Sequence, residues 1–116
     1  MNKARCLFIA LCAVFLFDAQ ALSLRELRAL EATQDGGDLH ARYYLVGSME
    51  ALLESEAFAV RAGAKPQICI NGRRLEPAMA KDLLDTELRR RADVYEADMP
   101  ASLVLRNALK TVYPCN

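Results

Sequence analysis

Residues 108–116 read ALKTVYPCN: the last turns of an apolar helical stripe, a proline that stops it, and Cys115 one position from the final residue. Chain ends usually fray and carry little, so a cysteine there asks for a partner. The candidates are Cys6, Cys12 and Cys69. The first two sit in MNKARCLFIALCAVFLFDAQA, which has the build of an export signal over residues 1–21. Lys3 and Arg5 form its basic head, Cys6 to Phe17 its apolar run, and Ala19-Gln20-Ala21 its small-x-small cleavage pattern. A run of 12 residues is too short for a spanning helix, which needs about 20. The mature chain is then residues 22–116, with Cys69 and Cys115 as its only thiols. An even pair in an oxidising compartment implies one disulfide. The loop it closes is long, and chain entropy makes such a bond worth about 4 kcal/mol for a loop of roughly 45–50 residues. For one small domain that is a large share of total stability.

Upstream of the terminal motif, Ala101, Val104, Leu105, Ala108, Leu109 and Val112 recur at helical spacing behind Asp98 and Pro100. At the other end, Ser23-Leu24-Arg25-Glu26 has capping-box spacing, with Leu22 and Leu27 placed as a hydrophobic staple. Leu24, Leu27 and Leu30 mark one face of that first helix, and Asp35-Gly36-Gly37-Asp38 ends it, with Asp38 capping the next. The spacing predicts a second helix over 39–56, with Leu39, Tyr43, Val46, Met49 and Leu53 as its stripe, widened by Leu45 and Leu52. Gly47 inside it is either a point of close helix approach or a tolerated defect. Residues 59–76 hold Gly63, Pro66 and Gly72 without sustained period and read as a loop, Gln67 to Ile70 being at most a brief extended piece. Pro77 suits the first turn of a third helix whose buried side is Met79, Leu83, Leu84, Leu88 and Tyr95. Asp85 with Arg89 and Glu87 with Arg91 are spaced for ion pairs along it. The result is an all-α chain: a small four-helix domain with one disulfide.

Catalysis needs a constellation, and none is present in the pattern. His40 is the sole histidine and lacks spaced partners. Two cysteines and one histidine do not make a zinc site, and no nucleophile-elbow, zincin or phosphate-loop motif occurs. The expectation is a protein without enzymatic activity, cofactor or metal. Without the leader, 13 basic and 14 acidic side chains remain. That balance favours neither nucleic acid nor a membrane surface as partner. Arg89-Arg90-Arg91 falls where a helix C-terminus welcomes cations. Arg73 and Arg74 are different: they lie in a loop pinned by Cys69, where they read either as a solvated turn or as interface anchors, arginine being enriched at such contacts.

Several stretches together resemble a known family. They are Tyr44-Leu45-Val46-Gly47-Ser48-Met49-Glu50-Ala51-Leu52, Cys69-Ile70-Asn71-Gly72, and the terminal Ala108-Leu109-Lys110-Thr111-Val112-Tyr113-Pro114-Cys115. Over residues 38–115 the chain is similar to the Rap/Tai-like immunity proteins of type VI secretion, with Ala41 where many members carry a further cysteine. The resemblance implies a periplasmic helical protein, commonly a homodimer, that binds a peptidoglycan amidase effector and occludes its active-site cleft. The loop from Lys65 to Glu76, with Arg73 and Arg74 foremost, is then expected to form part of the toxin-facing surface. A second reading is a periplasmic acid-stress chaperone of the HdeA-like kind, which is also small, exported, helical and disulfide-linked.

Overall fold

The computed structural model describes residues 21–116, so the leader reading lies outside it except for Ala21. Helix α1 spans Leu24–Glu31 and starts with the capping box its sequence spells. The Ser23 hydroxyl accepts the Glu26 amide at 3.2 Å, and Glu26 Oε2 accepts the Ser23 amide at 2.8 Å. Amides left over at a helix start need outside partners. Here Leu24 donates to the Met99 carbonyl and Arg25 to that of Ala97, while Ala101 donates back to Leu22. The starts of the first and last helices are therefore clasped together through backbone bonds, with an exposed Arg25–Asp98 ion pair at 3.1 Å beside them.

Helix α2, Gly37–Arg61, departs from expectation in three ways. Its cap is Gly36 at φ +74°, so Asp38 lies within the first turn and caps nothing. A left-handed glycine swings the chain straight into the helix, leaving no role for a side-chain cap. Gly37 is required next to it, because a Cβ there would collide with the Leu30 carbonyl and the Thr33 hydroxyl. The helix also runs on past Glu56 to Arg61, since no breaker intervenes before Gly63 at φ +95°. Finally, its inward face is Ala41, Leu45 and Met49, while Leu39 and Tyr43 point outward at 51% and 68% exposure. This segment is apolar on more than one side, and period alone could not say which side faces the core. Gly47 is exposed and a Cβ there would meet open space, so among the described residues no helix packs against it.

Helix α3 spans Met79–Arg90 and α4 spans Ala101–Val112. Pro77 precedes α3 by two residues, just outside the expected first turn. Ala80, Leu83 and Leu84 of α3 pack on Val104, Leu105, Ala108 and Leu109 of α4, and α2 lies across both. Val112 is left exposed, and Tyr113 takes the buried place beyond it. The expected arginine pairs do not form. Lys81 holds Asp85 at 2.8 Å and lies 3.2 Å from Glu31, a contact whose angle makes it an ion pair rather than a hydrogen bond. Burial disfavours the Lys81 charge most strongly of any one cause, but Asp85 and Glu31 together outweigh it and the pKa rises. Arg89 donates to the Thr86 hydroxyl instead. Glu87 turns inward to 2% exposure, where it accepts the Tyr95 hydroxyl at 2.7 Å. Asn107 of α4 donates to that hydroxyl in turn at 3.2 Å. Tyr95 thus packs after the end of α3, not along it, and its pKa is raised by burial and by the Glu87 bond.

Candidate functional site

The long connection between α2 and α3 carries the residues that the sequence offers for partner contact. Seventeen residues of irregular backbone would ordinarily move, yet this stretch, 62–78, is tied down at successive points. Cys69 bonds Cys115, their Cα atoms 5.1 Å apart and 46 residues apart in sequence. The Cys69 amide donates to the Tyr113 carbonyl at 2.8 Å, and Ile68 beside it is buried. No strand forms at Gln67 to Ile70; a single backbone bond and the covalent link do that work.

Glu56, on α2, supplies a fastening that sequence reasoning missed. Its Oε1 accepts the backbone amides of both Gln67 and Ile68. A carboxylate taking backbone donors prefers its charged form, and the pKa of Glu56 is lowered, first by the Gln67 bond. Arg106 and Lys110 of α4 face it and push in the same direction. Nothing in a lone helical glutamate advertises this role, because its partners are amides of a loop eleven and twelve residues on.

Past the disulfide the chain turns sharply. Asn71 and Gly72 have φ of +50° and +71°, and the Arg73 amide donates to the Ile70 carbonyl at 2.9 Å. Two left-handed residues inside a closed four-residue turn are the signature of type I′, for which Asn-Gly is the preferred pair. Arg73 leaves this turn in a set direction, and Arg74 follows it. Both are exposed, as are Lys65 and Glu76. Lys65 lies at the near end of the loop; the Glu76 amide donates to Met79 Sδ at 3.3 Å, where α3 begins. The structure therefore places all four expected contact residues on the outside of one fastened loop. His40 is exposed on α2, away from this loop in sequence and without a resolved charge partner.

Two apolar grooves flank the loop. One, of about 360 Å³, lies between the end of α2 and the loop's first half, walled by Leu53, Ala57, Val60, Pro66, Ile68 and Ile70, with the amide-bonded Glu56 also in its lining. Arg61 stands at its edge. The other, of about 220 Å³, is formed by Leu39, Tyr43 and Val46 of α2 with Pro77 and Ala78. It is the outward-facing stripe of α2 that creates this second groove. Among the described residues no group of three or more His, Cys, Asp or Glu side chains is placed to hold a metal ion, and no helix is long and apolar enough to cross a membrane. The surface here sets the exposed cations Arg73 and Arg74, on a fastened loop, beside apolar recesses. Compared with protein-family models, curated proteins and solved structures, the chain matches none.

Proposed function

We propose that this protein works by binding and carries out no chemistry of its own: a periplasmic immunity protein that seats its 65–76 loop over the active-site cleft of a secreted peptidoglycan amidase. The observation that carries this is the fastening of the loop. Disulfide, Glu56 carboxylate, buried Ile68 and the turn at Asn71-Gly72 together hold Arg73 and Arg74 in place before any partner arrives. A preorganised loop loses little entropy on docking, so more of its contact energy appears as affinity. Inhibition would follow from exclusion: with the cleft filled, cell-wall substrate cannot enter. The resemblance to Rap/Tai-like proteins supports the choice of an amidase effector, and the disulfide suits an oxidising compartment. Arg73→Glu with Arg74→Glu, titrated calorimetrically against purified type VI peptidoglycan amidases, should weaken binding at least about a hundredfold, as for interface arginines that act as anchors. Unchanged affinity sinks the loop assignment, and absence of any binding by the unaltered protein sinks the amidase.

One observation favours the acid-stress chaperone reading. The Glu56 fastening is strongest when the carboxylate is charged, and acid removes that charge. Light scattering of a client protein at low pH, with and without this protein, tests it; aggregation that proceeds unchanged removes the reading.

A further inference from the structure

Charge is unevenly spread along this near-neutral chain. From Ala57 to Leu75 there are Arg61, Lys65, Arg73 and Arg74 and not one carboxylate side chain. From Met99 to Tyr113 there are Arg106 and Lys110, and again no acid. The acidic side chains all fall before Ala57 or between Glu76 and Asp98. These two acid-free segments are distant in sequence, yet the fold presses them together: Cys69 is bonded to Cys115, and the Cys69 amide to the Tyr113 carbonyl. The carboxylate that reaches the seam from α2, Glu56, is already occupied by two loop amides. Along the same seam runs the larger apolar groove, with Arg61 on its edge and Lys65 one residue before its Pro66 wall. Arg73 closes the turn that begins at Ile70, another wall residue. Arg106 and Lys110 look on from α4, on the side where Glu56 sits.

We infer that this groove and its cationic rim receive an acidic protein segment, one apolar side chain entering between Val60 and Ile68 with aspartates or glutamates on either flank. The inference rests on the binding reading above and names the partner's chemistry at that surface. Two features favour a peptide over phosphate. The recess is walled by aliphatic side chains, with no aromatic platform for bases. The chain as a whole is also balanced in charge, so it lacks the long-range field that gathers polyanions. Oppositely charged rims mainly set orientation and on-rate, while the apolar anchor supplies affinity. Both parts are present here in one place.

The test uses the oxidised full-length mature protein and two short fluorescein-labelled peptides. Each carries a central Leu-Phe; one is flanked by Asp and Glu, the other by Lys. Anisotropy should show binding of the acidic peptide alone, weakened at high salt because the rim is exposed. Val60→Asp, at a position 38% exposed and so tolerant of change, should weaken it by at least about tenfold. Arg61→Glu should do the same, and circular dichroism of both variants confirms that the fold is kept. Equal binding of the two peptides, or none up to millimolar concentration, overturns the inference. So does displacement of the acidic peptide by duplex DNA or phosphatidylglycerol vesicles at lower concentrations than unlabelled peptide requires. The amidase titration separates the two proposals. If the amidase binds Val60→Asp as well as it binds the unaltered protein, the groove assignment falls and the amidase reading stands. If the acidic peptide binds at the groove while no amidase binds, the reverse holds.

Discussion

Removing the Cys69–Cys115 bond as Cys69→Ser with Cys115→Ser should cost about 4 kcal/mol, the chain-entropy value for the 46-residue separation. The size of the effect follows from where the bond acts. In the folded state its neighbourhood has other ties: the Cys69 amide on Tyr113, the Glu56 carboxylate on Gln67 and Ile68, and the buried Ile68 side chain. Both cysteines are only half-buried, so their replacement opens no large cavity. The native circular dichroism spectrum should therefore persist, and the loss should arise in the unfolded ensemble, freed of a long closed loop. A domain of this length has about 5–14 kcal/mol in total, so the variant stays folded with a reduced margin. With a urea slope of about 1 kcal/mol per molar for this size, the midpoint drops by about 3–4 M. The slope itself should rise, because the uncrosslinked unfolded chain exposes more surface. Urea unfolding of the oxidised protein and the variant measures both. A midpoint shift worth under about 1 kcal/mol would refute the reasoning. A variant unfolded in plain buffer would too, since it would place the bond's main effect in the native state.

Glu56→Gln should cost about 1 kcal/mol, the usual net worth of a hydrogen bond, at neutral pH. Because burial of charge is outweighed by the loop amides, the folded pKa of Glu56 is lowered. Its stabilisation is then fully present above the ordinary carboxylate range and is lost as pH falls through the lowered value; the gap between protein and variant, measured by thermal unfolding across the acid range, should close in that direction. Tyr95→Phe strips the buried Glu87 of its donor and should cost about 1–3 kcal/mol. Adding Glu87→Leu should recover part of that loss in a double-mutant cycle, since an apolar pair leaves no buried group unsatisfied. Gly47→Ala, whose new methyl meets open space, should stabilise by about 0.5–1 kcal/mol. Gly37→Ala should instead destabilise, because its Cβ would fall on the Leu30 carbonyl; thermal melts of the two variants should move in opposite directions.

Much of the fold could be read before the structure was seen, and for local reasons. The start of α1 was legible because a capping box is complete within four residues, Ser23 to Glu26. The end of α4 was legible because Pro114 follows its capping residue, Tyr113. The candidate loop was legible from its glycines and its cysteine, and Lys65, Arg73, Arg74 and Glu76 lie exposed on it. The errors share a different cause. Asp85 and Glu87 had arginines at suitable spacing, yet Lys81 took one and the core took the other. Leu39 and Tyr43 kept helical period with Val46 and face outward regardless.

Sequence alone determined that four helices form and that two cysteines, distant along the chain, join their ends to a loop. Caps, breakers and cysteine parity act on neighbouring residues or by simple count, so no neighbour in space is needed to read them. Tertiary structure alone decided which side of α2 is inside, that Glu56 latches the loop, and that two acid-free segments meet beside an apolar groove. Those outcomes depend on which surfaces come together, and a helix apolar on several sides leaves that choice to its packing partners.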